Sequence, residues 1–366
     1  MDEIARNAEY TKRTNRQTII RSLRRAPMSR ISLAQKTGLT RAAITVITRE
    51  LLEAGILSEE AAASPVRRGK TPIPLSVNPA AVCAVGVFWN RACCRIGLCD
   101  FSGRVLEETT LVMEAPKDLA SLADAIRALA ARAPSPVAGV GIGAPGPLDA
   151  EGGVILNPPN FERWHNTPVV SRLRDALGLP VLLENDACVL TLYHLEKGES
   201  TDFLLLLVNH GIGSGIVSGG RLLVSRGHNT GEVGHTTICF NGRTCSCGNR
   251  GCLEAYASVP HLLAGSPYAS WQALIDDGGT ALLEREADYL SAAIVNVRQL
   301  VSIDTVYLAG DLRAGVELLA PRIVRRVERR SLLAAPLRVL PAFSLAEIGV
   351  PAAADLVFEQ WIRQTV

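Results

Sequence analysis

Apolar residues recur along this chain with two different periods, and the change falls near residue 80. In "RQTIIRSLRR" (16–25) and "ISLAQKTGLTRAAITVITRELLEAGIL" (31–57) the spacing of three and four predicts helices. The second stretch divides in two at Gly38, a residue that tolerates a left-handed turn, with Thr40 as the cap of the next helix and Gly55 at its end. In that helix Ile44, Ile47 and Leu51 share a face that predicts core. Arg41, Thr45 and Thr48 share another, flanked by Ala42 and Arg49. The following "ILSEEAAASPVRRGKTPIPLSV" predicts two short strands around a tip bearing Arg67, Arg68 and Lys70. Together these form the pattern of a winged helix-turn-helix. Its small, polar, basic helix face suits a major groove, and its basic wing suits phosphate. The plainer alternative is a helical hairpin with a solvated charged face.

From Val82 the period shortens to that of strands. "VCAVGVF", "CCRIGLCD" and "RVLEETTLVM" follow one another, with "FSGR" as a turn, and "DLASLADAIRALAARA" then predicts a helix. "VAGVGIGAPGPLD" (137–149) is an apolar strand entering a Gly/Pro loop, and "PVLLEND" (180–186) is a strand ending in polar residues before another helix. A second strand set begins at "DFLLLLVNHGIGSGIVSGGRLLV" (202–224) and continues with "TVYLAG" (305–310). Strands preceding helices twice predict an α/β body of two lobes with a cleft between them. The expected division is a DNA-binding unit and linker over 1–78, a first lobe over 79–192 completed by a C-terminal helix over 350–366, and a second lobe over 193–349.

Charge sharpens this division. The formal net charge is only +2, yet residues 1–75 carry fourteen Lys/Arg against seven Asp/Glu, which leaves the body acidic. A basic end on an acidic body predicts a polyanionic partner for the end alone. The densest apolar run, "FLLLLV", is far shorter than the roughly 18 residues of a membrane span. The N-terminus is charged from Asp2 and has no apolar signal region, so a cytoplasmic location with no membrane partner is expected. There the nine cysteines should be thiols or metal ligands, and their odd number argues against a complete disulfide framework.

The chemistry concentrates in "GEVGHTTICFNGRTCSCGNRGCLE" (231–254). His235, Cys245, Cys247 and Cys252 offer one nitrogen and three sulfurs, the complement of a closed tetrahedral zinc site, with inert thiols or a disulfide as the alternative. Glu232 lies three residues before the first ligand and Glu254 two after the last, so a structural zinc would hold both carboxylates near one point.

This stretch resembles the metal signature of the ROK family (repressors, uncharacterised reading frames and sugar kinases), GE-x-GH followed by C-x-CG-x-x-GCLE. "VGIGAPGPLD", "NPPN" (157–160), "ENDA" (184–187) and "GIGSG" (211–215) follow the family's order, and the N-terminal pattern with "NP" at 78–79 matches its NagC/Mlc/XylR-like regulator branch. The resemblance implies the two-lobed actin-like ATPase fold, related to ribonuclease H. It also implies a sugar site at Asn185, Asp186, Glu232, His235 and Glu254, with Asn160 beside it and Asp186 at the position of the kinases' general base. A sugar's hydroxyls both donate and accept, which carboxylates and an amide can satisfy directionally. Asn185 and Asp186 could equally cap a helix.

The kinases' nucleotide loops are not matched. The D-x-GGT loop falls on Phe88, Asn90, Arg91 and Ala92, the GTGIG loop becomes "NHGIG" with Asn209 and His210, and the adenosine-side GGG becomes "AGD" (309–311). The sequence therefore predicts no catalytic residues in use and no kinase activity. The expected function is a sugar-responsive regulator, most simply a repressor, that binds double-stranded operator DNA as a homodimer or dimer of dimers. A working ROK hexose kinase and a repressor controlled by a protein partner are the alternatives.

Overall fold

The computed structural model describes residues 2–59, 73–91, 93–159, 161–224, 230–332 and 335–366. Its first unit is helical: α1 (Asp2–Arg25), α2 (Arg30–Thr37) and α3 (Arg41–Glu53), followed by an antiparallel pair, β1 (Leu57–Glu59) and β2 (Leu75–Val77). Capping sets the α2–α3 junction. Ser29 accepts from the Ser32 amide, Gly38 ends α2 in the left-handed region at φ 71°, and Thr40 accepts from the Ala43 amide. Ile19, Ile20, Leu23, Leu33, Ile44, Ile47 and Leu51 are buried together. Helix α1 begins far earlier than the apolar spacing predicts.

The body contains two five-stranded sheets of the same topology. The first is built from β3 (Cys83–Trp89), β4 (Cys94–Asp100), β5 (Val105–Leu111), β6 (Val137–Ala144) and, after the small hairpin β7 (Leu148–Asp149) and β8 (Val154–Ile155), β9 (Val181–Asn185). Its order is β5-β4-β3-β6-β9. Helices α4 (Leu119–Ala130) and α5 (Val169–Leu177) belong to this lobe, and α6 (Asp186–Lys197) leaves it. The second sheet uses β10 (Phe203–Val208), β11 (Ile212–Ser218), β12 (Arg221–Leu222), β13 (Thr305–Gly310) and β14 (Arg338–Pro341) in the order β12-β11-β10-β13-β14. Between β12 and β14 come α7 (Glu254–Ala257), α8 (Val259–Leu263), α9 (Trp271–Asp277), α10 (Thr280–Leu300) and α11 (Val316–Arg330), and α12 (Leu345–Thr365) ends the chain. In each sheet the first three strands form an antiparallel meander and the last two join in parallel. The predicted two-lobed α/β body is therefore observed.

Period-two alternation explains why "FLLLLV" is wholly apolar. Leu204, Leu206 and Val208 face the core with α10 and α11, while Phe203, Leu205 and Leu207 face a second core with Ala187, Val189 and Leu190 of α6 and Ile348, Ala352 and Ala353 of α12. Helices α6 and α12 thus lie between the lobes. Helix α12 starts five residues earlier than the expected C-terminal helix and rests directly on the first sheet. A Cβ at Gly86 or Gly141 would overlap the carbonyl oxygens of Val350 and Ala353. Gly141→Ala is accordingly expected to cost about 1–3 kcal/mol through overpacking, read as a lower denaturant midpoint at unchanged slope. Among the described residues, no helix is long and apolar enough to cross a membrane.

Candidate functional site

Asn185 ends β9 and caps α6, its Oδ1 accepting from the amides of Ala187 (3.0 Å) and Cys188 (3.2 Å). The capping alternative therefore holds for its oxygen, while its amide nitrogen points toward the Gly146 loop. Asp186 opens α6 and faces the second lobe. A Cβ at Gly213 would stand 3.8 Å from its Oδ1. Burial pushes the Asp186 carboxyl up to about 6. The Ala187 amide and then Arg91 pull it down, while Glu232 pushes it further up. Electrostatics thus joins residues 91 and 186 of the first lobe to residue 232 of the second.

Glu254 opens α7 and is buried, and its Oε2 accepts from the Ile212 amide at 2.8 Å. Glu232 lies three residues before His235. Desolvation raises its carboxyl, Glu254 adds to the rise, and His235 opposes it.

His235, Cys245, Cys247 and Cys252 converge, with one donor atom from each lying within 4.8 Å of all the others. His235 Nδ1 is 3.6 Å from Cys245 Sγ, and Cys247 Sγ is 3.7 Å from Cys252 Sγ. A tetrahedral ion bound at ~2.3 Å by sulfur has edges of about 3.8 Å, close to these two separations, so the cluster could hold a metal ion. Local folding builds the cage. The Thr237–Cys252 and Thr244–Arg250 bridges bring the two halves of the loop together. Gly251, at φ 73°, sits where a side chain would overlap the Cys239 carbonyl. Because Nδ1 faces the cluster, Nε2 of His235 remains for other partners.

The loop after β3 holds no glycine cradle. Phe88 is buried in the interlobe core, against Gly349 and Gly143. Asn90 and Cys93 close a turn, the Asn90 amide on the Cys93 carbonyl and the Cys93 amide on Asn90 Oδ1. Arg91 donates from Nε (3.2 Å) and Nη2 (2.8 Å) to the Pro159 carbonyl. Its Nη1 reaches toward the second lobe, where a Cβ on Gly211 would lie 3.1 Å from it and 2.8 Å from Glu254 Oε2. This crossing was not legible in the sequence, where a single arginine reads as a solvated charge. The second loop is also tied down, since Asn209 Oδ1 accepts from the Asp311 amide at 2.9 Å and so joins the ends of β10 and β13. His210 is exposed.

On the N-terminal unit, Arg41, Ala42, Thr45 and Arg49 form an exposed face of α3. Thr48 must be removed from that face. It is fully buried, its hydroxyl donates to the Ile44 carbonyl at 2.7 Å, and Arg30 of α2 donates to it at 3.2 Å. A guanidinium from the neighbouring helix takes the place the helical wheel assigns to solvent. Arg67, Arg68, Lys70, Ala92 and Asn160 lie outside the described residues.

The chain is similar to both regulators and kinases of known sequence or structure. A xylose repressor of Caldicellulosiruptor bescii is 33% identical over 247 residues, 65% of this chain and 61% of the relative, so the match spans less than two thirds of that protein. A glucokinase of Thermotoga maritima is 32% identical over 270 residues, 65% of this chain and 84% of the enzyme. A crystal structure described as a ROK family transcriptional regulator, a homolog of the Escherichia coli Mlc protein, superposes with a TM-score of 0.78 at 26% identity, covering 97% of this chain and 98% of the other. Residues 91–359 match the ROK family, and the chain belongs to that family.

Proposed function

We propose that the chain is a sugar-responsive DNA-binding transcriptional regulator, most simply a repressor, that senses a sugar in the cleft and does not transfer phosphate. One observation carries the reading: Arg91, from the loop that cradles phosphate in the family's kinases, reaches across to the buried Glu254 of the second lobe, while Asp186 of the first lobe lies against β11 of the second. Sugar hydroxyls would be held by Asn185 and Asp186 on one side and by Glu232, His235 Nε2 and Glu254 on the other, with Asn160 assigned by motif alone. A ligand bound across two lobes favours the closed state by the difference in its affinity for the two forms. Resemblance to a xylose repressor and to a homolog of Mlc supports the regulatory role.

Zinc is the metal we assign to the cage, since three thiolates and one imidazole in a closed tetrahedron suit it. It would fix the loop between Glu232 and Glu254. The role of this chain's residues is then to hold both carboxylates at the cleft.

We read the N-terminal unit as a winged helix-turn-helix that places α3 in the major groove, with Arg67, Arg68 and Lys70 assigned to phosphate from sequence. Two half-site readers require a homodimer or dimer of dimers, and a cytoplasmic location follows from the DNA partner. Arg41→Ala and Arg49→Ala are each expected to weaken operator binding. A base contact costs about 1–3 kcal/mol and relaxes sequence preference, whereas a phosphate contact lowers the salt slope by about one. Anisotropy titrations at several salt concentrations separate these outcomes. Thr48→Val leaves affinity unchanged except through stability.

The test of the function is calorimetry with a panel of hexoses, pentoses and amino sugars, repeated with Mg-ATP. One sugar should bind, and ATP should add no heat with or without it. ATP binding accompanied by turnover of that sugar would instead establish a kinase, the activity of the Thermotoga relative.

A further inference from the structure

Helix α6 begins in the cleft and ends against the N-terminal unit. Its twelve residues span about 18 Å. At the cleft end Asp186 and Ala187 lie against β11, where a Cβ on Gly213 would stand 3.1 Å from Ala187 Cβ, and one on Gly215 would overlap the Thr191 hydroxyl. Although α6 continues directly from β9 of the first lobe, its side is therefore seated on the second. At the far end, Lys197 Nζ donates to the Arg24 carbonyl at 2.7 Å, and Arg25 Nη2 donates to the Leu195 carbonyl at 3.1 Å, closing the open end of the helix.

Arg24, in the last turn of α1, is the centre of this junction. Its side chain is fully buried. Nη2 pairs with Asp355 at 2.6 Å, Nε donates to the Phe101 carbonyl at 3.0 Å, and Nη1 lies 3.7 Å from Glu196. The guanidinium also sits over the rings of Phe101 and Phe358, 5.4 and 4.8 Å from their centroids. A buried cation has few alternative positions, because leaving any of its partners strands a charge. Arg21 adds a pair to Glu359 on α12, and Ile19, Ile20 and Leu23 share one core with Phe101, Phe358 and Ile362. The DNA-reading unit is therefore mounted on α6 and α12 rather than tethered by a loose linker.

We propose that α6 is the element that carries cleft occupancy to the DNA-reading unit. A shift of the second lobe, acting through β11, turns α6 as one piece, and its Leu195–Lys197 end moves the last turn of α1 through Arg24 and Arg25. This inference rests on the regulatory reading above but assigns a path that the reading does not require.

Its test does not need the natural sugar. In the full-length chain, Gly213→Ala adds a methyl group that pushes on Ala187 at the cleft end. Hydrogen exchange is then followed in three peptides: 19–25 of α1, 187–195 of α6, and 122–129 of α4 as a control away from α6. The proposal expects the rate in 19–25 to change by about fivefold or more, the lower range of allosteric couplings, with 122–129 unmoved. Adding Lys197→Met, which removes the bond to the Arg24 carbonyl, should return 19–25 to within about twofold of its starting rate. An α1 peptide that keeps the wild-type rate while 187–195 changes overturns the proposal, as does equal acceleration of all three peptides, which reports general loosening. If Gly213→Ala does not fold, Thr191→Ser, which removes a methyl group facing Gly215, serves in its place. The sugar panel decides the regulatory reading separately: with no sugar bound and 19–25 still responding to Gly213→Ala, the sugar is wrong and the linkage stands.

Discussion

Cys247→Ser is expected to lose the bound metal, lower the thermal midpoint of the second lobe and weaken sugar binding by at least about tenfold, or ~1.4 kcal/mol. The reason is the poverty of the knot's own core. The cluster around the ligands consists of Cys245, Cys252 and Ala255 with Tyr256 packed alongside, while Val233 and Leu253 at the edges of the knot belong to the larger core of the second lobe, so the loop between them has little apolar burial of its own once the metal is gone. Folding of such a segment depends on its ion, whose binding free energy in small structural sites is about 10–16 kcal/mol. Glu232 and Glu254 flank the ligands in sequence; without the cage the loop that carries Glu232 loses its closure, while Glu254 keeps the Ile212 amide as its one remaining hold. Metal content by mass spectrometry, calorimetric melting and sugar titration check the three parts, and removal of metal by a chelator should reproduce them. Full sugar affinity in a metal-free protein would separate the knot from the cleft.

Asp186→Asn is expected to weaken the same sugar by about 10–100-fold, the loss of one or two hydrogen bonds to a charged acceptor, while leaving the fold intact. It should also raise stability at neutral pH. The Asp186 carboxyl lies at about 6, above its ordinary 3.8, chiefly because burial penalises the charge. Stability from the neutral form is complete below the unfolded value and is lost as pH rises through about 6, so at pH 7 the wild-type chain bears an ionised buried group. Asparagine removes that penalty, on the order of 1–3 kcal/mol. Sugar affinity should run the other way. The ionised carboxylate accepts hydroxyl hydrogen bonds, so wild-type binding strengthens as pH rises through about 6, with Arg91 and Glu232 as the charged neighbours that set the midpoint. Asparagine should flatten that dependence. An Asp186→Asn protein that binds sugar as the wild type does would remove Asp186 from the site.

Much of this molecule is legible in its sequence because local signals and tertiary packing agree there. Thr40 and Gly38 mark α3 and α2 by capping chemistry that needs no distant partner. The candidate metal cluster is legible because its four possible ligands fall within one loop, so spacing alone limits their geometry. Long-range contacts defeat the reading elsewhere. Thr48 follows the helical wheel onto the exposed face until Arg30 covers it. Arg24 reads as one more cation of a basic end, yet it is buried by Phe101, Asp355 and Phe358, residues far away in sequence. Arg91 reads as a substituted loop glycine and a solvated charge. Its two bonds to the Pro159 carbonyl and its approach to Glu254 depend on how the lobes meet. The start of α1 is hidden for another reason. Residues 2–15 are mostly polar, and their helix continues from the packed turn over Ile19, Ile20 and Leu23 rather than from an apolar stripe of its own.

Sugar-controlled DNA binding is measured by fluorescence anisotropy of the full-length protein on a labelled DNA fragment from immediately upstream of its own gene, titrated with hexoses, pentoses and amino sugars. Salt-sensitive binding is expected, shifted by one sugar and made indifferent to that sugar by Asp186→Asn. Tight DNA binding that no sugar alters, in a protein to which no sugar binds, would contradict it.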